Sequence, residues 1–188
     1  MVPLDLLSRA DDGFIQRLAL VRAAQWAAPT PCQEWDVRAL VNHVVGAKHR
    51  YTMLLHGATT DEVEATRAVD HLGGGPVASF AAAAAELHAA FGEPGALART
   101  AHHATGDRTG AQLLGMQVLD IAVHTWDLAR AIGAEESLDP ELVAFALTLQ
   151  DTLDAGRQRG SFAPLPGTAP AGGSAQARLL YLSGRRPG

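Results

Sequence analysis

The 188-residue chain is 47% hydrophobic and 19% charged, with abundant alanine and few aromatic residues, which fits one mostly helical domain of ordinary size. Its formal net charge of -5, with 15 Lys and Arg spread along the chain, argues against a nucleic-acid partner, and no apolar run approaches the ~18 residues that a membrane span needs. The start, Met-Val-Pro-Leu-Asp, lacks a signal-peptide pattern, so the expected location is cytoplasmic, and the single cysteine, Cys32, leaves any metal to nitrogen and oxygen ligands.

Residues 4–28 carry Leu6, Leu7, Phe14, Leu18 and Val21 at mostly helical spacing, and Pro29 and Pro31 stop that segment. Asp36 caps a second helix whose Leu40, Val44, Ala47, Tyr51 and Leu54 recur at three- and four-residue steps until Gly57. Residues 58–75 are polar, end in Gly73, Gly74 and Gly75, and read as a loop. A third helix over 77–91 holds five consecutive alanines with Phe80, Leu87 and Phe91, and Gly92 and Pro94 close it. From Glu93 to Gly110 there is no clear periodicity, which predicts a long connection able to touch a site. Leu114, Val118, Ile121, Leu128 and Ile132 then stripe a fourth helix over 111–132, with Gly133 as its stop. Asp139 and Pro140 open a fifth, running through Leu142, Phe145, Leu149 and Leu153 to Gly156 or Gly160. Residues 161–173 are expected to lie extended over the surface, and Ser174 caps a short last helix. Together these predict an all-α, antiparallel four-helix bundle with extra short helices and a C-terminal tail, as one domain over 1–188.

Asp120 and His124 stand four apart on the fourth helix, so their side chains share a face about 5 to 6 Å apart, a gap that one metal ion can bridge. Gln117 and Asp127 extend that polar strip by a turn each way and are candidates to orient a ligand imidazole; equally, Asp127 can face solvent beside a cation such as Arg130. On the second helix, His43 lies beside the apolar line through Val44 and Ala47 and is expected to point inward. Two imidazoles and one carboxylate leave a fourth position open, as in a catalytic zinc site, and nickel, iron or manganese accept the same set. Spacing alone also permits a plain reading, in which the Asp–His pair forms a local hydrogen bond and each histidine is a core or boundary residue.

The segments TPCQEWDVRALVNHVVG at 30–46, LDIAVHTWDLARAIG at 119–133 and LDPELV at 138–143 resemble actinobacterial proteins related to the metal-binding domain of mycothiol-dependent maleylpyruvate isomerase, in the DinB-like superfamily. The resemblance implies a four-helix bundle core holding a zinc-like ion. The implied ligands are His43 on the second helix, with Asp120 and His124 one turn apart on a later one. In the isomerase the acid is a glutamate, so Asp120 is one methylene shorter. That enzyme also has a C-terminal domain contributing to the substrate site, where this sequence shows only the 161–188 tail, so maleylpyruvate isomerisation itself is not inferred.

A divalent ion with an open position lowers the pKa of a bound thiol, and the thiolate is the nucleophile. With one cysteine in the chain, the sulfur is expected from a small cosubstrate, which the resemblance suggests is mycothiol. The expected function is therefore an S-transferase, or isomerase-like enzyme, acting on an electrophilic small molecule. The alternatives are a non-enzymatic sensor or partner protein, and a metal-dependent hydrolase with Asp127 as its general base. A monomer or a homodimer fits equally. His102 and His103 can lie at the pocket mouth or simply be solvated; His49, His56, His71 and His88 read as surface or structural. Cys32 reads as a packed small thiol, and Trp35 and Trp126 as core anchors.

Overall fold

The computed structural model describes residues 4–33, 35–160, 162–168 and 172–186. Four helices form the bundle: α1 (Leu4–Leu18), α2 (Val37–Leu55), α4 (Pro76–Gly92) and α5 (Gly110–Ile132). Each buries an apolar stripe, and α1 packs on α5 and α4 while α2 packs on α4 and α5. Side-chain pairs fix the directions. His49 meets Glu86 and His56 meets Glu93, so α2 and α4 run the same way. His43 meets Asp120 and Asp11 meets His88, and these pairs link α2 to α5 and α1 to α4. Phe14 stacks on Phe80 with ring centroids 5.0 Å apart, which runs α1 against α4. Burying a side chain of that size contributes roughly 1.5–3 kcal/mol.

The expected element boundaries hold for most of the chain, with four differences. Helix α1 ends at Leu18 rather than near residue 28, and Leu20, just beyond it, is 61% exposed. A single 3-10 turn, Ala23–Gln25, follows, and Gln25 Nε2 donates to the carbonyl of Ile132 at the end of α5. The polar 58–75 segment contains a five-residue helix, α3 (Thr60–Glu64), held by a reciprocal cap between Thr59 and Glu62. The 93–110 connection contains a two-residue hairpin, β1 (Thr100–Ala101) with β2 (Arg108–Thr109), pairing Thr100 with Thr109 and Ala101 with Arg108. The fifth predicted helix is two, α6 (Pro140–Leu147) and α7 (Gln150–Gln158), because Leu149, with φ -94° and ψ 39°, leaves helical geometry between them.

Helix α5 is apolar on nearly every side, and such a helix must be covered all round. The bundle core lies on one face of it; on the other, Leu119, Val123 and Trp126 form a second core with Val143, Leu153, Leu179 and Leu180. The last two belong to α8 (Ala175–Leu182), capped by Ser174 as expected and built into the fold, while residues 162–168 run without helix or strand and are mostly exposed, as expected of a surface segment. Among the described residues no helix is long and apolar enough to cross a membrane. A third buried feature is polar: Lys48, wholly enclosed, bonds Asp11 at 2.5 Å, and His88 Nε2 lies 3.0 Å from the other carboxylate oxygen.

Candidate metal centre

Asp36 starts α2 by accepting the amide of Ala39 at 2.8 Å, and Thr109 starts α5 in a reciprocal cap with Gln112. These starts set the register that brings His43 level with Asp120 and His124. His43 Nε2 lies 3.6 Å from Asp120 Oδ2, and His124 Nε2 lies 3.4 Å from Asp120 Oδ1. One ligand atom from each of the three lies within 4.8 Å of the others. A tetrahedral ion with arms of ~2.1 Å has ligand-to-ligand edges of about 3.4 Å, and the two histidine-to-carboxylate separations, each to a different oxygen of Asp120, are of that size. Asp120 therefore reaches both imidazoles despite being shorter than a glutamate. Trp35, expected as a core anchor, packs half-buried against the bundle core and also lies against the site, its ring centroid 4.6 Å from that of His43 and 5.9 Å from that of His124. Trp126 is buried in the second core as expected.

Behind His124 the polar strip continues. Its Nδ1 lies 3.0 Å from Asp127 Oδ2, and Asp127 is fully enclosed, which excludes the solvent-facing alternative. Arg130 pairs with Glu136 and lies over the Trp126 ring. The cation on Asp127 is Arg185, from the terminal segment, at 3.1 and 2.7 Å. Cys32 joins this group, its sulfur 3.2 Å from Asp127 Oδ2, 3.8 Å from His124 Nδ1 and 3.1 Å from Arg185 Nη2. Cys32, His124 and Asp127 are also near enough together to ligate an ion. The guanidinium of Arg185 already sits against two of them, however, and its positive charge opposes a second cation there. Gln117 does not orient an imidazole: it is buried, and its side-chain nitrogen and oxygen have no hydrogen-bond partner among the described residues.

The electrostatics follow from these contacts. Burial opposes a charge on His124, but Asp120, by attraction and hydrogen bonding, together with Asp127 and Cys32, outweighs it and raises its pKa well above the ordinary value. Burial likewise opposes ionisation of Asp120, yet His124 and His43 hold its pKa well below the usual range. His43 is governed by burial, which lowers its pKa despite Asp120 and leaves a neutral ligand. Asp127 overcomes its burial through the hydrogen bond with His124 and the charge of Arg185, and its pKa falls to about 2.

His43 and Asp120 retain about a quarter of their side-chain exposure, 26% and 24%, because they open onto a cavity of about 420 Å³. Arg50, Arg67, Arg108 and Arg159 stand in its wall. Arg50 is 7% exposed, and among the described residues its guanidinium makes a single hydrogen bond, 3.3 Å to the His43 carbonyl. Gly46 makes room for it, since a Cβ there would lie 2.7 Å from Arg50 Nη1. His102 and His103 also line the cavity, whereas His49, His56, His71 and His88 lie outside it. Sequence reasoning missed the arginines, Cys32 and Arg185, which share no spacing with the ligands.

Residues 7–129 match the family described as mycothiol maleylpyruvate isomerase N-terminal domain. The chain belongs to this family. Two Mycobacterium tuberculosis proteins described as uncharacterized, from strains CDC 1551 and H37Rv, are each 35% identical to this family member over 170 residues, 90% of its chain and 89% of theirs. Among solved structures, the crystal structure of the mycothiol-dependent maleylpyruvate isomerase matches with a TM-score of 0.61 at 17% identity. The match covers 81% of this chain and 70% of that one, and a histidine-to-alanine variant of the isomerase matches equally. At that identity the likeness shows the helical-bundle fold.

Proposed function

We propose that this member of the family is a metal-dependent enzyme that activates a small thiol, mycothiol, for attack on an electrophilic small molecule. The observation that carries the reading is the meeting of two imidazoles, His43 and His124, on the two oxygens of Asp120 at 3.6 and 3.4 Å, where His43 and Asp120 open onto a cavity. A divalent ion held there, zinc first, would lower the pKa of a thiol at its open position.

The chain's own residues supply the rest. Leu119 in the cavity wall, and Trp35 against the two imidazoles, give the site an apolar border, which favours a sulfur ligand over bulk water. Tyr51, also in the wall, stays a neutral phenol because its burial raises its pKa. The four arginines favour an electrophile that carries negative charge, and Arg50, nearest the floor through His43, is the group to hold it. In the reaction the S–H proton leaves to solvent, a carbon–sulfur bond forms, and the electrophile accepts the electron pair or releases a leaving group.

Two other readings rank lower. For hydrolysis the base suggested by the sequence, Asp127, is fully enclosed and engaged by His124 and Arg185, so it cannot reach a water in the cavity. The location, a cytoplasmic one, and the monomer or homodimer state stay part of this proposal, as does a single domain over the whole chain. The test is loss of free mycothiol when zinc-loaded protein meets a panel of unsaturated carboxylates and alkyl halides. Acceleration over the metal-free protein and over His43→Ala is expected. A loaded protein that accelerates none of them, yet binds mycothiol, would favour the non-enzymatic binding reading.

A further inference from the structure

The segment after α8 enters the interior by a specific route. Ser183 is fully buried, Gly184 has φ of +80°, and the Arg185 amide donates to the Leu180 carbonyl at 2.8 Å, closing the helix in the manner of a Schellman turn. A side chain at Gly184 would bring its Cβ within 2.4 Å of the Ala163 carbonyl oxygen, so the turn requires glycine on both counts. Leu179 and Leu180 anchor the helix in the second core, and the turn then delivers Arg185, 7% exposed, to Asp127.

We infer that Arg185 is a positioning residue for the metal centre, acting through Asp127 on His124. Its Nε and Nη2 donate to the two oxygens of Asp127 at 3.1 and 2.7 Å, a two-pronged grip that fixes the plane of the carboxylate. Nη1 donates to the Ser183 carbonyl at 2.6 Å, which fixes the guanidinium in turn. A guanidinium donates only, so Asp127 stays an acceptor toward His124, whose Nδ1 lies 3.0 Å from Oδ2, and toward the Cys32 thiol, which donates to the same oxygen at 3.2 Å. An imidazole that gives its Nδ1 proton to a carboxylate presents a bare Nε2, and that atom is the one facing Asp120 and the cavity floor. Arg185 also supplies the charge that lets a carboxylate stay ionised with no solvent contact. The three links Arg185, Asp127 and His124 thus connect the end of the chain to the floor of the cavity. Cys32, against both Arg185 and Asp127, packs the gap beside them.

This inference rests on the metal reading above, and its test reads metal binding rather than turnover. Zinc affinity is measured by competition with a chromophoric chelator for the wild-type chain, Arg185→Met, Arg185→Lys, Asp127→Asn and the Asp127→Asn/Arg185→Met double variant. Partners of metal-bound histidines typically change affinity about 10–100-fold, so Arg185→Met should weaken zinc binding within that range. Arg185→Lys, which keeps the charge and loses the fork, should lie between. The double variant should bind no more weakly than Asp127→Asn alone, because one chain of contacts has been cut twice. Circular dichroism of the zinc-free forms separates loss of α8 from loss of positioning: wild-type affinity in a folded Arg185→Met protein would overturn the inference, as would losses that multiply in the double variant. A wild-type chain that takes no zinc would overturn the metal reading and this inference together.

Discussion

The imidazole of His124 stands between two carboxylates, its Nε2 3.4 Å from Asp120 and its Nδ1 3.0 Å from Asp127. In the metal-free protein this arrangement stabilises the protonated ring, whose pKa lies well above the ordinary 6.5. Zinc must therefore displace a proton from His124, while His43, lowered by burial, is already neutral. Zinc affinity should rise with pH up to the His124 pKa and level off above it. Calorimetric titration in buffers of different ionisation enthalpy should show close to one proton released per ion bound.

Linkage gives the metal-free chain a matching pH dependence. Because the folded pKa of His124 exceeds its unfolded value, its contribution to stability is complete below about 6.5 and is lost as pH rises through the folded value. Asp127 works in the opposite sense. Its contribution is present above about 3.8 and is lost as pH falls through its folded value of about 2. Thermal unfolding of zinc-free protein across these windows should show both declines, and His124→Gln should remove the alkaline one.

His43→Ala and His124→Ala should each abolish near-stoichiometric metal, as read by elemental analysis after reloading and desalting. Asp120→Glu should retain it, because a carboxylate stays on the same face one methylene further out. Asp120→Asn should bind weakly, having lost the charge that meets both histidines.

Arg50→Met should raise KM for carboxylate-bearing electrophiles and leave uncharged ones nearly unchanged. A hydrogen bond to a charged group contributes roughly 1.5–3 kcal/mol, so the rise should be about 10–100-fold. Equal effects on both substrate types would count against an anion held at Arg50.

Lys48→Met should destabilise the bundle by about 3–5 kcal/mol in urea unfolding, since it leaves the buried Asp11 carboxylate without its enclosed cation. Adding Asp11→Leu should recover most of that loss.

The helices, and the meeting of His43, Asp120 and His124, were legible because they rest on local rules. Asp36 before Val37, and Pro140 after Asp139, mark helix starts within one turn. Asp120 and His124 share a face by helical geometry, and His43 lies beside the apolar line of its own helix, which turned it inward. What was not legible depends on long-range packing. Nothing near Leu18 says that α1 stops there; the chain must turn back so that Gln25 can reach the carbonyl of Ile132. The stripe Leu142, Phe145, Leu149, Leu153 keeps helical spacing across a break at Leu149, a residue of the stripe itself. The Cys32, Asp127 and Arg185 cluster joins three distant segments, and no periodicity within any one of them records the meeting. The Thr59–Glu62 cap, by contrast, was present in the sequence as a Thr-x-x-Glu signature and marks the helix that the polar loop conceals.

Trp35 gives the candidate metal centre an optical signature of its own. Of the three tryptophans, it is the one whose ring lies tilted against a site imidazole among the described residues, with Trp126 shut away in the second core. Indole emission responds to the charge of an adjacent ring, so filling the site or changing the protonation of His43 or His124 should alter fluorescence without any added dye. Occupancy can then be followed in real time on the unlabelled chain, and a Trp35→Phe variant supplies the blank.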